Sequence, residues 1–204
     1  MADTLERTSP LQPWAARFTQ LPDSAMIAEE PFVTMVELRV DPSGPGAAAV
    51  TGVLGIELPT TPSTYAKSAD TTVIWLGPNE WLVTGTALAG QELEARLREV
   101  VTVHGGAAVD VSGQRTTLRL RGPRAREVLG KGCALDLHTS VFGGGAAAQT
   151  TVGRAGVILL AVDDSGTDYR ILVRSSFARY MADWLLDAAE EYSGVSTDMI
   201  SQRR

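Results

Sequence analysis

The chain has 204 residues, 44% hydrophobic and 21% charged, which excludes a disordered protein and allows one large domain or two small ones. A net charge of −6 argues against nucleic-acid binding, and no run approaches the roughly 18 apolar residues of a membrane-spanning helix. The single cysteine, Cys133, excludes an internal disulfide, and no apolar signal segment is visible, so we expect a cytoplasmic protein.

The first 30 residues lack the periodicity of a compact domain. They combine several prolines with three spaced apolar side chains, Leu11, Trp14 and Phe18. A disordered tail would not need such side chains, whereas an extended arm would use them to lie on the core or on another subunit. The sequence therefore predicts an N-terminal interaction arm over residues 1–30, with Trp14 as the best candidate for an interface anchor.

Residues 31–106 alternate between strand and helix patterns. Three strands are predicted from β-branched and aromatic residues, the last two forming a hairpin: 33–40, 71–76 and 81–85. Two helices are predicted from apolar residues at helical spacing: 47–56 and 91–101. The second of these helices has the clearer pattern, because it also contains two Glu/Arg pairs at i,i+4 spacing.

Residues 107–192 repeat this order. The predicted strands are 107–112, 116–121, 155–162 and 168–174. The predicted helices are 123–130, after a Gly-Pro corner, and a closing helix that begins near Ser175 or Ser176. In the strand 116–121, Leu118 and Leu120 point to one face and the arginines to the other, which is typical of a half-buried strand.

The order of strand, Gly-Pro corner, helix, hairpin and helix thus occurs twice. The two copies share short sequence motifs, GP and VLG, in both 44–59 and 122–137. We interpret this as an internal duplication of two ferredoxin-like split β-α-β halves, 31–106 and 107–192, followed by a C-terminal tail over 193–204. The predicted fold class is α+β, with antiparallel sheets that carry helices on one side.

Basic residues are concentrated between positions 115 and 131, where six stand against the single acid Glu127. They are Arg115, Arg119, Arg121, Arg124, Arg126 and Lys131. Such a cluster can face an acidic partner or an anionic ligand, or it can be a solvated sheet edge and helix face. The predicted partner interface takes the first alternative and joins the arm to this cluster: Leu11, Trp14, Phe18, Arg115, Arg119, Arg121 and Arg124.

No residue pattern points to catalysis. His104 and His138 have no cysteine or acid at metal-ligand spacing, so each is interpreted as a surface loop residue. The glycines 143–145 do not follow a strand and open a helix, as a dinucleotide fingerprint requires. Cys133 stands among apolar residues and is interpreted as a small buried thiol. We therefore predict no catalytic, cofactor-binding or metal-binding residue in this chain.

Two segments carry a family resemblance, DVSGQRTTLRLRGPRAREVLGKGCALDL (110–137) and SSFARYMADWLLDAAEEY (175–192). Most of the chain resembles the gamma subunit of heterotetrameric sarcosine oxidase. The resemblance implies a non-catalytic structural subunit of a complex that converts sarcosine to glycine and hydrogen peroxide and passes the one-carbon unit to tetrahydrofolate. It also implies that FAD, FMN and NAD lie on the alpha and beta subunits and zinc on the delta subunit, and that this chain docks on alpha.

Residues 105–190 more distantly resemble the folate-binding aminomethyltransferase of the glycine cleavage system, which leaves a stand-alone folate-binding domain as the alternative. In that family an acidic residue on a central strand engages the folate. The matching segment here, 156–160, puts Leu159 or Leu160 in the acidic position. A leucine can neither accept a proton nor hydrogen-bond a pterin, so folate chemistry is not expected from this chain.

Overall fold

The computed structural model describes residues 7–193. These residues form two five-stranded sheets in which all neighbouring strands are antiparallel. The strands are β1 Met26–Glu30, β2 Thr34–Arg39, β3 Tyr65–Lys67, β4 Thr71–Gly77, β5 Glu80–Gly85, β6 Ala107–Asp110, β7 Arg115–Arg121, β8 Ala147–Val152, β9 Ala155–Ala161 and β10 Asp168–Arg174. The α-helices are α1 Ala15–Phe18, α2 Pro45–Leu54, α3 Gly90–Val101, α4 Ala125–Gly130 and α5 Ala178–Ala189.

The first sheet, sheet I, has the strand order β3-β4-β5-β2-β6. Four of its strands and the helices α2 and α3 make the split β-α-β arrangement predicted for the first half. Strand β6 pairs with β2, with Val36 opposite Asp110. The predicted boundary at residue 106 is therefore wrong by one strand, because the segment assigned to the start of the second half completes the sheet of the first.

The second sheet, sheet II, has the order β1-β7-β10-β9-β8. In the split β-α-β pattern a fourth strand pairs with the first strand, here β7. In this chain β1, from the N-terminal segment, pairs with β7 at that position. The predicted arm over 1–30 thus contains a strand of the second half, which strand-like alternation did not reveal because MIAEE ends in two acids. Gly122 has φ 125°, and a Cβ there would meet backbone atoms of Asp23 and Ser24, so the Gly-Pro corner admits the N-terminal segment.

The two sheets face each other, and the helices cover their outer faces. Seven buried side chains from both sheets form the inter-sheet core: Met35, Ile74, Leu82, Ala147, Ile158, Leu160 and Leu172. The alternate side chains of the same strands point to the opposite face of each sheet and pack against the helices. Val36 and Leu38, for example, lie under α2 and α3. Leu118 and Leu120 lie under α4 and α5, which confirms the face predicted for them. The α+β class with helices on one side of each sheet is confirmed.

Most predicted elements are present, with shifted ends. Helix α2 begins at Pro45, whose missing N–H costs nothing in the first turn, and it ends before Gly55 at φ 67°. Helix α5 begins at Ala178, after a 3-10 turn, and neither Ser175 nor Ser176 caps it as predicted. The edge strands β3 and β8 were not predicted. Within residues 7–193, no helix is long and apolar enough to cross a membrane.

The N-terminal segment contributes to stability through Leu11, which is 1% exposed in the core between sheet II and its helices. Replacing Leu11 with Ala should lower the free energy of unfolding by about 2–5 kcal/mol, because the mutation leaves a cavity that the core fills only partly. Urea unfolding of the full chain, followed by tryptophan fluorescence, measures this loss. The exposed neighbour Gln12, replaced with Ala, should change stability by less than about 0.5 kcal/mol; equal losses for both variants would contradict the packing of this segment.

Candidate partner interface

The three apolar side chains predicted as interface anchors occupy different surroundings. Leu11 and Phe18 are 1% and 7% exposed, and both contribute to the core beneath α4 and α5. In this conformation their side chains pack on their own chain and offer almost no surface to a partner. Trp14 is half-buried and packs against the edge of the same core. Of the three, Trp14 alone retains accessible surface for the interface role predicted for it.

A polar clamp fixes Trp14 to helix α5. The indole Nε1 donates to Oδ1 of Asp183 at 2.9 Å, and Nη1 of Arg17 donates to the same oxygen at 2.6 Å. The guanidinium of Arg179 lies 5.6 Å from the Trp14 ring, within cation–π distance. The hydrogen bond from Trp14, supported by Arg17, lowers the pKa of Asp183. The clamp therefore connects two segments that are far apart in sequence, since Trp14 and Asp183 are separated by 169 positions.

A groove of about 780 Å³ runs between the N-terminal segment and the free edge of β1. We call it the arm groove; it is lined by Arg7, Phe18, Met26, Ala28, Phe32 and Arg121, among others. Met26 and Phe32 are 36% and 46% exposed, which is high for large apolar side chains. Phe32 also has φ 60°, a left-handed conformation that is unusual for a bulky residue. No periodic pattern in the sequence marks Met26 or Phe32, and their exposure is visible only in the structure.

Arg119 is not a free cation. Its Nε and Nη2 donate to the two carboxylate oxygens of Asp168 at 2.9 and 2.6 Å, and Nη1 lies 3.4 Å from Glu30. The bidentate hydrogen bond with Asp168 is the main reason why the pKa of Arg119 is raised. Glu30 also contacts Nε of Arg170 at 2.8 Å. This network joins β1, β7 and β10, so the charge of Arg119 is used inside the fold.

The other predicted arginines divide between two ends of sheet II. Arg121 is exposed at the rim of the arm groove. Arg124 is exposed as well, and its Nη1 donates to Glu127 at 2.7 Å, which raises the pKa of Arg124. Arg115 is half-buried at the opposite end of β7, directly across from Arg174 on β10. The cluster that is continuous in sequence is therefore not one surface.

The residues weighed for chemistry remain apart. His104 and His138 are both exposed, the first at the end of a 3-10 turn, and residues 7–193 contain no group of three histidine, cysteine or acidic side chains that could hold a metal ion. Cys133 is half-buried rather than buried, and packs against the core under α4 and α5. The glycines 143–145 form a turn that leads into β8 and open no helix.

The segment aligned with the folate site is filled by apolar side chains. Leu159 is fully buried on the helix side of sheet II, and Leu160 is 2% exposed on the inter-sheet side. Leu160 also lines a cavity of about 320 Å³ at the margin between the sheets, whose carboxylates include Glu30. Glu30 is already paired with Arg170 and Arg119, whereas Asp70, which also lines this cavity, is exposed and forms no salt bridge within residues 7–193. The segment 156–160 itself contains no acid that could hydrogen-bond a pterin.

Residues 39–191 match the family described as "Sarcosine oxidase, gamma subunit family". The chain is 35% identical over 193 residues to the sarcosine oxidase subunit gamma of Corynebacterium sp. (strain P-1), with 93% of each chain covered. This chain belongs to the sarcosine oxidase gamma subunit family. The sarcosine oxidase subunit gamma of Arthrobacter sp is 34% identical to it over 174 residues, 83% of this chain and 82% of the other.

Solved structures agree with this assignment. The match to a chain of heterotetrameric sarcosine oxidase from Corynebacterium sp. U-96, in complex with pyrrole 2-carboxylate, has a TM-score of 0.85 and 32% identity, and covers 94% of this chain and 98% of that one. The gamma subunit family resemblance predicted from sequence is thereby confirmed. Aminomethyltransferase T of the glycine cleavage system from Bartonella henselae matches with a TM-score of 0.58 at 14% identity, over 84% of this chain and 48% of that one. That likeness shows a shared fold.

The Trp14 clamp generates a pH-dependent prediction. Because the pKa of Asp183 is lowered in the folded chain, its stabilising effect is fully present above the ordinary aspartate range and is lost as pH falls through the folded pKa. Asp183→Asn should therefore destabilise the chain at pH 7 by less than about 1 kcal/mol, since the pair is exposed to solvent. Thermal unfolding at pH 7 and at about pH 3 checks this. The difference between the two proteins should become smaller as the pH falls toward the lowered pKa of Asp183, and a difference that does not change with pH would contradict the clamp. Asp187→Asn on the outer side of α5 is the matched control.

Proposed function

We propose that this chain is the structural gamma subunit of a heterotetrameric sarcosine oxidase and contributes no catalytic residue to it. The observation that carries the proposal is the match to a chain of the Corynebacterium complex over 94% of this chain and 98% of that one. The proposed complex oxidatively demethylates sarcosine to glycine with formation of hydrogen peroxide, and transfers the one-carbon unit to tetrahydrofolate. The cytoplasm is the proposed location, in keeping with a single half-buried cysteine.

The cofactors of the reaction are assigned to the other subunits. FAD, FMN and NAD are proposed for the alpha and beta subunits and zinc for the delta subunit, as the family resemblance implies. In support, residues 7–193 contain no group of three histidine, cysteine, aspartate or glutamate side chains that could hold a metal ion. The residues aligned with the folate site are Leu159 and Leu160, both buried. The role of this chain is therefore to bind its partner subunits and to hold them in place.

The alpha subunit is the proposed direct partner, and the arm groove the proposed contact. Met26 and Phe32 provide large apolar side chains at its surface, and Arg7 and Arg121 provide a basic rim. Aromatic and arginine side chains of this kind supply most of the binding energy in protein interfaces. Trp14 lies on the same N-terminal segment and extends this surface toward α5.

A stand-alone folate-binding domain is the second candidate, favoured by the likeness to aminomethyltransferase T and by the cavity beside Leu160. Arg170 and Lys67 line that cavity and supply positive charge for a glutamate tail. The pairing of Arg170 with Glu30 at 2.8 Å weighs against it, because the charge is already neutralised. The subunit assignment explains the full-length match and needs no such site.

Purification of the tagged chain from its native cytoplasm tests the proposal. We expect a yellow complex with larger flavin-containing chains that produces hydrogen peroxide when sarcosine is added. The spectrum and a peroxidase-coupled assay of the co-eluting material measure both properties. A colourless monomer that binds no other chain would overturn the proposal, and titration of that monomer with tetrahydrofolate would then decide the second candidate.

The contact surface is tested by Phe32→Ala. If Phe32 is buried against the alpha subunit, its truncation should weaken binding of this chain to the rest of the complex roughly tenfold or more. The affinity is measured by titrating the purified chain into a complex that lacks it. Val103→Ala is the matched control, because Val103 is 78% exposed and lies away from the arm groove on the first half. Equal affinities of the Phe32 variant and the wild type would exclude the groove as the alpha contact.

A further inference from the structure

Arg115 and Arg174 form a like-charged pair at one end of sheet II. They are directly opposite in the antiparallel register of β7 and β10. Like charges in this position are destabilising, since the two side chains leave the same face of the sheet at close distance. Within residues 7–193 neither guanidinium forms a salt bridge, and Arg115 instead donates to the side chain of Gln114.

The same two strands contain a second arginine pair in which the repulsion is relieved. Arg119 and Arg170 are also directly opposite, four residues along β7 and on the same face. Two carboxylates are placed between and beside them: Asp168 binds Arg119 in bidentate fashion, and Glu30 contacts both arginines. The two pairs have the same register, but acids form salt bridges with Arg119 and Arg170 and none does so with Arg115 or Arg174 within residues 7–193.

The surroundings of the Arg115–Arg174 pair are suited to a carboxylate. The pair lines a groove of about 500 Å³ together with Gln149, Thr150 and Thr151 of β8. Threonine hydroxyls can donate to a carboxylate beside the guanidinium groups. Burial, and after it the charge of Arg174, lowers the pKa of Arg115, so the free chain holds this cation at a cost. Glu37 and Glu80 of sheet I act on Arg115 only at longer range, without a salt bridge to it.

We infer that the Arg115–Arg174 pair binds an acidic side chain of another subunit of the complex. Two guanidinium groups facing one groove can hold a carboxylate through bidentate, charge-assisted hydrogen bonds. A small free anion would gain little there, because Arg174 and Thr151 are exposed and the ion would stay in water. A carboxylate on a protein surface arrives with the rest of an interface, which excludes water from the contact and strengthens it.

This inference rests on the proposed subunit function and adds a second contact, at the end of β7 opposite the arm groove. Assembly then removes a repulsion that the isolated chain retains. The site therefore has an unusual signature, since one substitution should stabilise the chain and weaken the complex. Arg174→Glu is that substitution, because the new carboxylate lies opposite Arg115 and takes the place of the partner's acid.

A competition experiment measures the effect. The wild-type and variant chains, with different tags, are expressed together with the other subunits, and the ratio of the tags in the purified complex gives their relative affinity. Arg174→Glu should be incorporated roughly tenfold less than the wild type or worse. Its melting temperature as a full-length isolated chain should be higher than that of the wild type, because the Arg115 repulsion is replaced by attraction. Arg154→Glu is the control, an exposed arginine in the turn between β8 and β9 with the same change of charge.

The outcomes separate the two proposals. A wild-type chain that joins no complex would overturn the subunit function itself. A complex that incorporates Arg174→Glu as well as the wild type, or excludes Arg154→Glu to the same degree, would overturn the carboxylate contact alone. Arg174→Gln keeps the test valid if the charge reversal disturbs folding. Arg174→Gln should also be incorporated less than the wild type. The difference in incorporation should become smaller at high salt, where the contact between the wild-type Arg174 and the partner's carboxylate is screened.

Discussion

The face-to-face packing of the two sheets is the constraint on which the rest of the structure depends. Met35 and Leu82 of sheet I meet Ile158 and Leu172 of sheet II in a mostly apolar layer, in which Thr117 is also buried opposite Leu172. Since each sheet is covered on its other side by helices, its central strands are buried on both faces. Of the arginines of β7, Arg115 and Arg121 lie at the two ends of the strand, and Arg119, between them, is paired with Asp168 and Glu30.

The second half of the fold also depends on the N-terminal strand β1, which completes sheet II. The second half has no strand after α5 within residues 7–193, and β1 fills that place from the other end of the chain. Glu30 at the end of β1 contacts Arg119 and Arg170, so an ionic network fixes the strand where its hydrogen-bonded register ends. The clamp between Trp14 and Asp183 holds the preceding segment on α5. Residues 7–30 thus complete the second half, and they also form one wall of the arm groove.

Sequence periodicity predicted the elements whose signal is local. The alternation of β7, the apolar stripe of α3 and the hairpin of β4 and β5 could all be identified, because each depends on neighbours in sequence. Strand β1 and the edge strands β3 and β8 are short and polar, so only pairing with distant segments defines them. The arginine cluster shows the same limit. The acids that neutralise Arg119 are 49 and 89 residues away, at Asp168 and Glu30, and no local pattern could separate Arg119 from Arg115.

The two arginine pairs of β7 and β10 show how charged side chains at the surface of a fold can contribute to the specificity of assembly. Leu159 and Leu160, at the position that the sequence resemblance compared with a folate-binding acid, are both packed in the core. The charged side chains that can bind another subunit are at the surface. Their contribution to binding depends on which of them form no salt bridge within the fold. A pair neutralised from within stabilises the chain in any setting, whereas a pair left open costs stability until another surface supplies the acid. Arg115 and Arg174 thus favour the assembled state over the isolated chain.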